Sequence, residues 1–288
     1  MKYFNSFPIS ERIIQIEDLC GTKMYLIEGD EKAALIDCGV GLGNIHDYVK
    51  TLTDKPIIVL ISHGHVDHAM GSGTFPQSVP VYMSEKDHEI YREHRFLEVR
   101  KGYYESVKLF FAGIGSLFKK TDSLDWVKPA DAERFKNLKA GDLFDLGGEV
   151  IEVCEGAGHT PGCLTFLFQN ERILLLGDAI NNGTYLFDTY PLPVSQLKQS
   201  LQLLNNRTSG RYERTLFCHG QGKKPGYGDV NMVNGGIVLC DLILKGQDLR
   251  IKATRMGKAC YLAKKFMRKT DLGDRSDCNI IYSDYTLK

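Results

Sequence analysis

Residues 61–72 read ISHGHVDHAMGS and place three histidines and an aspartate within six positions, His63 to His68. Histidine is scarce elsewhere, with eight in 288 residues. The stretch follows an apolar run, PIIVLIS (56–62), that reads as a buried strand. In an extended segment residues i and i+2 point the same way, so His63 and His65 converge on one point. A helix starting near Asp67 would put Asp67 and His68 on its first turn, facing a neighbouring point. Neutral imidazole and carboxylate are good ligands for zinc, iron or manganese. A chance polar turn accounts for one exposed histidine, but not for three with an aspartate at this spacing.

Four such side chains are too few for two metal ions. Three more candidates follow apolar strands. EVCEGAGHTPG (152–162, read from Glu152) offers His159 on a glycine- and proline-rich turn, RILLLGDAI offers Asp178, and RTLFCHG offers His219. Singly, each could be a capping aspartate or a strand-end histidine. Together they complete a set of five histidines and two aspartates.

With HGHVDH, GHTPG, LLGD and CHG in this order, the sequence resembles the metallo-β-lactamase-fold superfamily over roughly residues 11–245. The resemblance implies an α/β (α+β) fold, a four-layer αββα sandwich of two mixed β-sheets flanked by helices. It also implies a dinuclear site, most simply with two zinc ions, iron or manganese being the other candidates. His63, His65 and His159 would hold one metal. Asp67, His68 and His219 would hold the other, with Asp178 bridging. Asp37, in ALIDCG, matches a buried aspartate that orients metal-ligating histidines from behind. Asp67 would also orient the nucleophile or move a proton.

The pattern reads as one domain over residues 1–288, with strands in its first third and a helix at GNIHDYVKTLTD (43–54). From Ser84 to about Val127 apolar residues recur at three- and four-residue spacing, which predicts two or three helices inserted as a cap. This segment carries Tyr91, Phe96, Tyr103, Tyr104, Phe110, Phe111, Phe118 and Trp126. Most are expected to glue helices to the sandwich, and some to wall a substrate pocket. Beyond residue 247 a helix–hairpin extension is expected.

Basic and acidic residues balance at 36 each, so no global field draws the chain to nucleic acid or an anionic membrane. No apolar stretch reaches the ~20 residues of a membrane span. The first residues show no signal-peptide core, which suggests a cytoplasmic protein. The eight cysteines form no C-x-x-C pair and read as small buried hydrophobes, Cys218 included. CGVGLGN lacks the complete dinucleotide fingerprint and reads as a loop. His46, His88 and His94 fall in polar, helix-like surroundings and are expected on solvated faces.

The chemistry this predicts is metal-assisted hydrolysis of an ester, thioester, lactone or phosphodiester of a small molecule, with Asn181 and Tyr185 as candidate substrate contacts. Many lactonases of this superfamily carry a tyrosine three residues after the bridging aspartate, where this chain has Asn181. An iron-dependent redox enzyme of the same fold, similar to the persulfide dioxygenases, is the alternative.

Overall fold

The computed structural model describes residues 3–110, 120–187, 189–219, 227–265 and 276–287. Phe111 and Phe118 of the aromatic segment lie outside them, as does the side chain of Phe110. The chain divides into two compact units, one built mainly from Met1–Leu138 and the other mainly from Val150–Gln221 and Gly226–Lys288.

The first unit holds β1 (Phe4–Pro8), β2 (Ile13–Asp18), β3 (Lys23–Glu28), β4 (Ala33–Ile36), α1 (Ile45–Lys50), β5 (Ile57–Leu60), β6 (Val81–Met83), α2 (His88–His94), α3 (Leu97–Phe110) and β7 (Lys136–Asn137). The seven strands form one sheet in sequence order. β1 to β4 are antiparallel, while β4 to β7 pair in parallel, with Leu35 opposite Val59 and Ile36 opposite Leu60. AALI and IIVL have no polar position because parallel strands are covered on both faces. On one face Ile16, Met24, Leu26, Leu35 and Val59 share a core with Ile45 and Val49 of α1. CGVGLGN is a loop whose last residue, Asn44, caps α1 by accepting the Asp47 backbone N–H at 3.1 Å.

Buried Arg100 of α3 anchors the helical segment to this loop. It donates Nε to Val40 O (3.1 Å), Nη2 to Gly41 O (2.5 Å) and Nη1 to Val127 O (2.7 Å), and stacks 5.1 Å from the Trp126 ring centre. Gly41 has φ +75°, and a Cβ there would lie 2.4 Å from Arg100 Nη2. Burial lowers the Arg100 guanidinium to about 10, so it stays charged at neutral pH.

The second unit holds β8 (Leu143–Asp145), β9 (Val150–Glu155), β10 (Leu164–Phe168), β11 (Ile173–Leu175), β12 (Thr184–Leu186), α4 (Val194–Thr208), β13 (Arg214–Leu216), α5 (Met232–Leu244), β14 (Ile251–Arg255), β15 (Lys258–Leu262) and β16 (Ile280–Tyr282). One sheet has the order β13-β11-β10-β9-β8 and another β12-β16-β15-β14. Val194, Leu197, Leu201 and Leu204 recur at helical spacing along α4 and pack with Met232, Val233, Leu239 and Ile243 of α5. With mixed sheets and helices in both units, the chain has the expected α/β class.

The C-terminal stretch contains the expected hairpin. Among the described residues it is the β14–β15 hairpin, then β16 and a single 3₁₀ turn at Asp284–Leu287, with no α-helix. Ile251 and Ala253 alternate with Lys252 and Thr254 along β14, and β16 finds a parallel partner in β12. All eight cysteines are buried and unbridged.

Candidate functional site

In the first unit the ligand candidates stand on the loop that leaves β5. His63 and His65 have ring centres 4.8 Å apart, and His63 and His68 4.1 Å apart. The expected helix start at Asp67 is absent. Asp67 and His68 lie in a turn closed by the His68 and Ala69 backbone N–H groups on His65 O, and the following 3₁₀ helix begins at Met70. Gly64 makes the turn possible, since a Cβ there would lie 2.6 Å from Asp87 O, and its N–H donates to Asp87 Oδ2 at 2.9 Å.

A chain of polar contacts orients two of these rings from behind. Asp37, fully buried at φ +64°, accepts the Ser62 N–H (2.7 Å), the Ser62 hydroxyl (2.9 Å) and His68 Nδ1–H (2.8 Å). Because Ser62 Oγ donates to Asp37, it accepts from His63 Nδ1, 3.0 Å away. Both imidazoles therefore present Nε2 as a lone pair, the form that binds metal. Asp67 Oδ2 stands 3.6 Å from His68 Nε2 and accepts the Tyr103 hydroxyl at 2.8 Å. Burial and the Asp67 charge push the Tyr103 hydroxyl well up, so it is the donor.

In the second unit Asp178 follows β11, and its Oδ2 stands 3.7 Å from His159 Nε2 and 3.3 Å from His219 Nε2. The backbone carbonyl of Tyr185, on β12, accepts His159 Nδ1–H at 2.8 Å and leaves His159 Nε2 as its donor atom. Asn181 braces the turn: its Oδ1 accepts Gly183 N–H at 2.8 Å, and its Nδ2 lies 3.4 Å from Asp178 Oδ1. Both candidate substrate contacts thus have structural roles beside Asp178. Cys218 is buried, but β13 ends at Leu216, so strand alternation does not govern its direction.

Three histidines placed on solvated helix faces are instead half-buried against other rings. His46 meets Phe75 edge-on at 5.4 Å, His88 meets Phe135 at 5.9 Å, and His94 lies 5.2 Å from His65. Their ring partners Phe75, Phe135 and His65 are 29 or more residues away in sequence, which local composition does not reveal. Tyr91 and Tyr104 are buried as helix-to-body glue, while Phe96 is exposed. The sequence marked neither Ser62 nor Asp87 and read Tyr103 only as one aromatic of the helical segment, because their partners are 25, 23 and 36 residues away.

The donor types, imidazoles of which His63, His68 and His159 have Nδ1 engaged, together with the carboxylates of Asp67 and Asp178, suit divalent metal ions.

Comparison with known proteins agrees with this chemistry. A sequence profile described as the metallo-β-lactamase superfamily matches residues 18–219. A probable metallo-hydrolase of Streptococcus pyogenes is 24% identical over 221 residues, 73% of this chain and 87% of that protein. An acyl-coenzyme A thioesterase of Gallus gallus is 23% identical over 206 residues, 65% of this chain and 69% of that protein. A solved metallo-β-lactamase from Pontibacter korlensis superposes with a TM-score of 0.57 at 18% identity, covering 83% of this chain and 99% of its own. With most of its length matched by the profile, the chain belongs to the metallo-β-lactamase superfamily and is a hydrolase of that superfamily.

Proposed function

We propose that the chain is a dinuclear metal-dependent hydrolase acting on a small-molecule ester, with a thioester as the first candidate. The observation that carries this reading is the fixed tautomer of His63, His68 and His159, each with Nδ1 engaged and Nε2 left as a metal donor. The superfamily pattern supports one centre of two zinc ions from His63, His65 and His159, from Asp67, His68 and His219, and from Asp178. Such ions, when bound, would supply a hydroxide at neutral pH and a Lewis acid for a carbonyl oxygen. Of the chain's own groups, Asp178 Oδ2 lies within 3.7 Å of both His159 and His219, as a bridging carboxylate requires. Asp67, which accepts the Tyr103 hydroxyl, would orient the attacking water and hold its proton.

The thioesterase relative supports a thioester, and the balanced charge argues against a nucleic-acid phosphodiester. Eight buried, unbridged cysteines suit a reducing compartment such as the cytoplasm. No helix among the described residues is long and apolar enough to cross a membrane.

The test is elemental analysis of natively purified enzyme, together with ester, thioester, lactone and phosphodiester substrates. Two metals per chain and thioester turnover abolished by chelation are expected. One metal per chain, unchanged by added zinc, would overturn the dinuclear reading. Oxygen uptake with iron in place of hydrolysis would replace the reading with the redox one.

A further inference from the structure

The helical segment does more than cover the first unit. Three of its side chains reach the 63–68 stretch. Asp87 accepts Gly64 N–H, the His94 ring lies against His65, and the Tyr103 hydroxyl donates to Asp67 Oδ2 at 2.8 Å. The first two fix backbone and ring position. The third acts on a carboxylate oxygen that faces His68 Nε2 at 3.6 Å.

The chemistry of that oxygen gives Tyr103 its role. A carboxylate oxygen has two lone pairs, and the aspartate χ2 torsion is broad, so the carboxylate plane is free unless something holds it. Tyr103 takes one lone pair of Oδ2 and so fixes the direction of the other. Thr22 Oγ1, 3.5 Å from the same oxygen, is a weaker second donor. Tyr103 is itself held by α3, which Arg100 ties to Val40, Gly41 and Val127 independently of Asp67. The donor is therefore in place before any ligand binds.

We propose that Tyr103 is a positioning residue for the metal ligand Asp67, so that the helical insertion helps set metal affinity at the Asp67–His68 position. This rests on the dinuclear reading above. Zinc-loaded enzyme is titrated with a chromophoric chelator, and the cobalt-substituted enzyme is examined by visible absorption. Tyr103→Phe should weaken one of two zinc sites about 10- to 100-fold, leave the other unchanged, and shift the cobalt bands. Thr22→Val should give a smaller loss at the same site. In an Asp67→Ala background, which removes the accepting oxygen, Tyr103→Phe should add no further loss, because its effect passes through the carboxylate.

Zinc affinities and cobalt bands equal to wild type would overturn the proposal. So would a Tyr103→Phe loss that persists in full with Asp67→Ala, which would mark Tyr103 as packing only. The wild-type zinc count tests the dinuclear reading separately, since the ratio between variant and wild type is read at whichever site Asp67 serves.

Discussion

Asp37 Oδ2 stands 2.8 Å from His68 Nδ1, and both side chains are wholly removed from solvent. A buried carboxylate with three donors on it holds the ring tautomer and the backbone of the ligand loop together. Asp37→Ala strands Ser62 N–H, Ser62 Oγ and His68 Nδ1. Unfolding free energy should fall by about 3 kcal/mol or more, and metal affinity about 10- to 100-fold. Asp37→Asn keeps the volume and tolerates the positive φ, so it should lose less stability while still losing affinity. Denaturant titration beside chelator competition checks both, and equal losses in the two variants would contradict this account.

Asp178 places one oxygen between two histidines. Asp178→Ala should lower metal content and reduce hydrolysis by about two orders of magnitude or more. Elemental analysis and steady-state rates measure this. Normal metal content and turnover would make Asp178 a strand-end residue only.

Tyr185 orients His159 through its backbone carbonyl. Tyr185→Phe should therefore leave metal content unchanged, and a change in KM alone would assign the phenol to substrate. Loss of metal in this variant would show that the hydroxyl, not the carbonyl, matters.

Arg100 satisfies two buried carbonyls and a half-buried third with one planar fork. Arg100→Ala should cost about 3 kcal/mol, and Arg100→Lys should recover only part, since an ammonium cannot reproduce the fork. Chemical denaturation reads this directly, and full recovery by lysine would mean charge alone suffices.

Asp18 gives a pH signature in the metal-free protein. Burial raises its carboxyl from 3.8 to about 6, although three backbone N–H groups donate to it. A carboxyl raised in the folded state binds its proton more tightly there than in the unfolded chain. Its ionisation therefore costs stability, by nothing below the unfolded value and by up to about 3 kcal/mol above pH 6. Wild type should lose stability relative to Asp18→Asn as pH rises from about 4 to 6. A difference constant across that range would refute the assignment.

The sequence by itself determined the class of the fold, the strands IIQIED, AALI and IIVL, and the histidine-rich loop after β5, because hydrophobic periodicity and ligand spacing are local properties. Local pattern also placed His159, Asp178 and His219 just beyond strands, and it named Asp37, although only by resemblance. Tertiary structure alone decided what holds these residues. Ser62 relays between His63 and Asp37, the Tyr185 carbonyl fixes His159, and Tyr103 and His94 come from helices whose sequence reads as polar or merely aromatic. The tail joined β12 as strands for the same reason, since a partner strand about a hundred residues away outweighs local helical preference. Such partners lie outside any window of periodicity, and a hydrogen bond between distant residues leaves no local pattern to read.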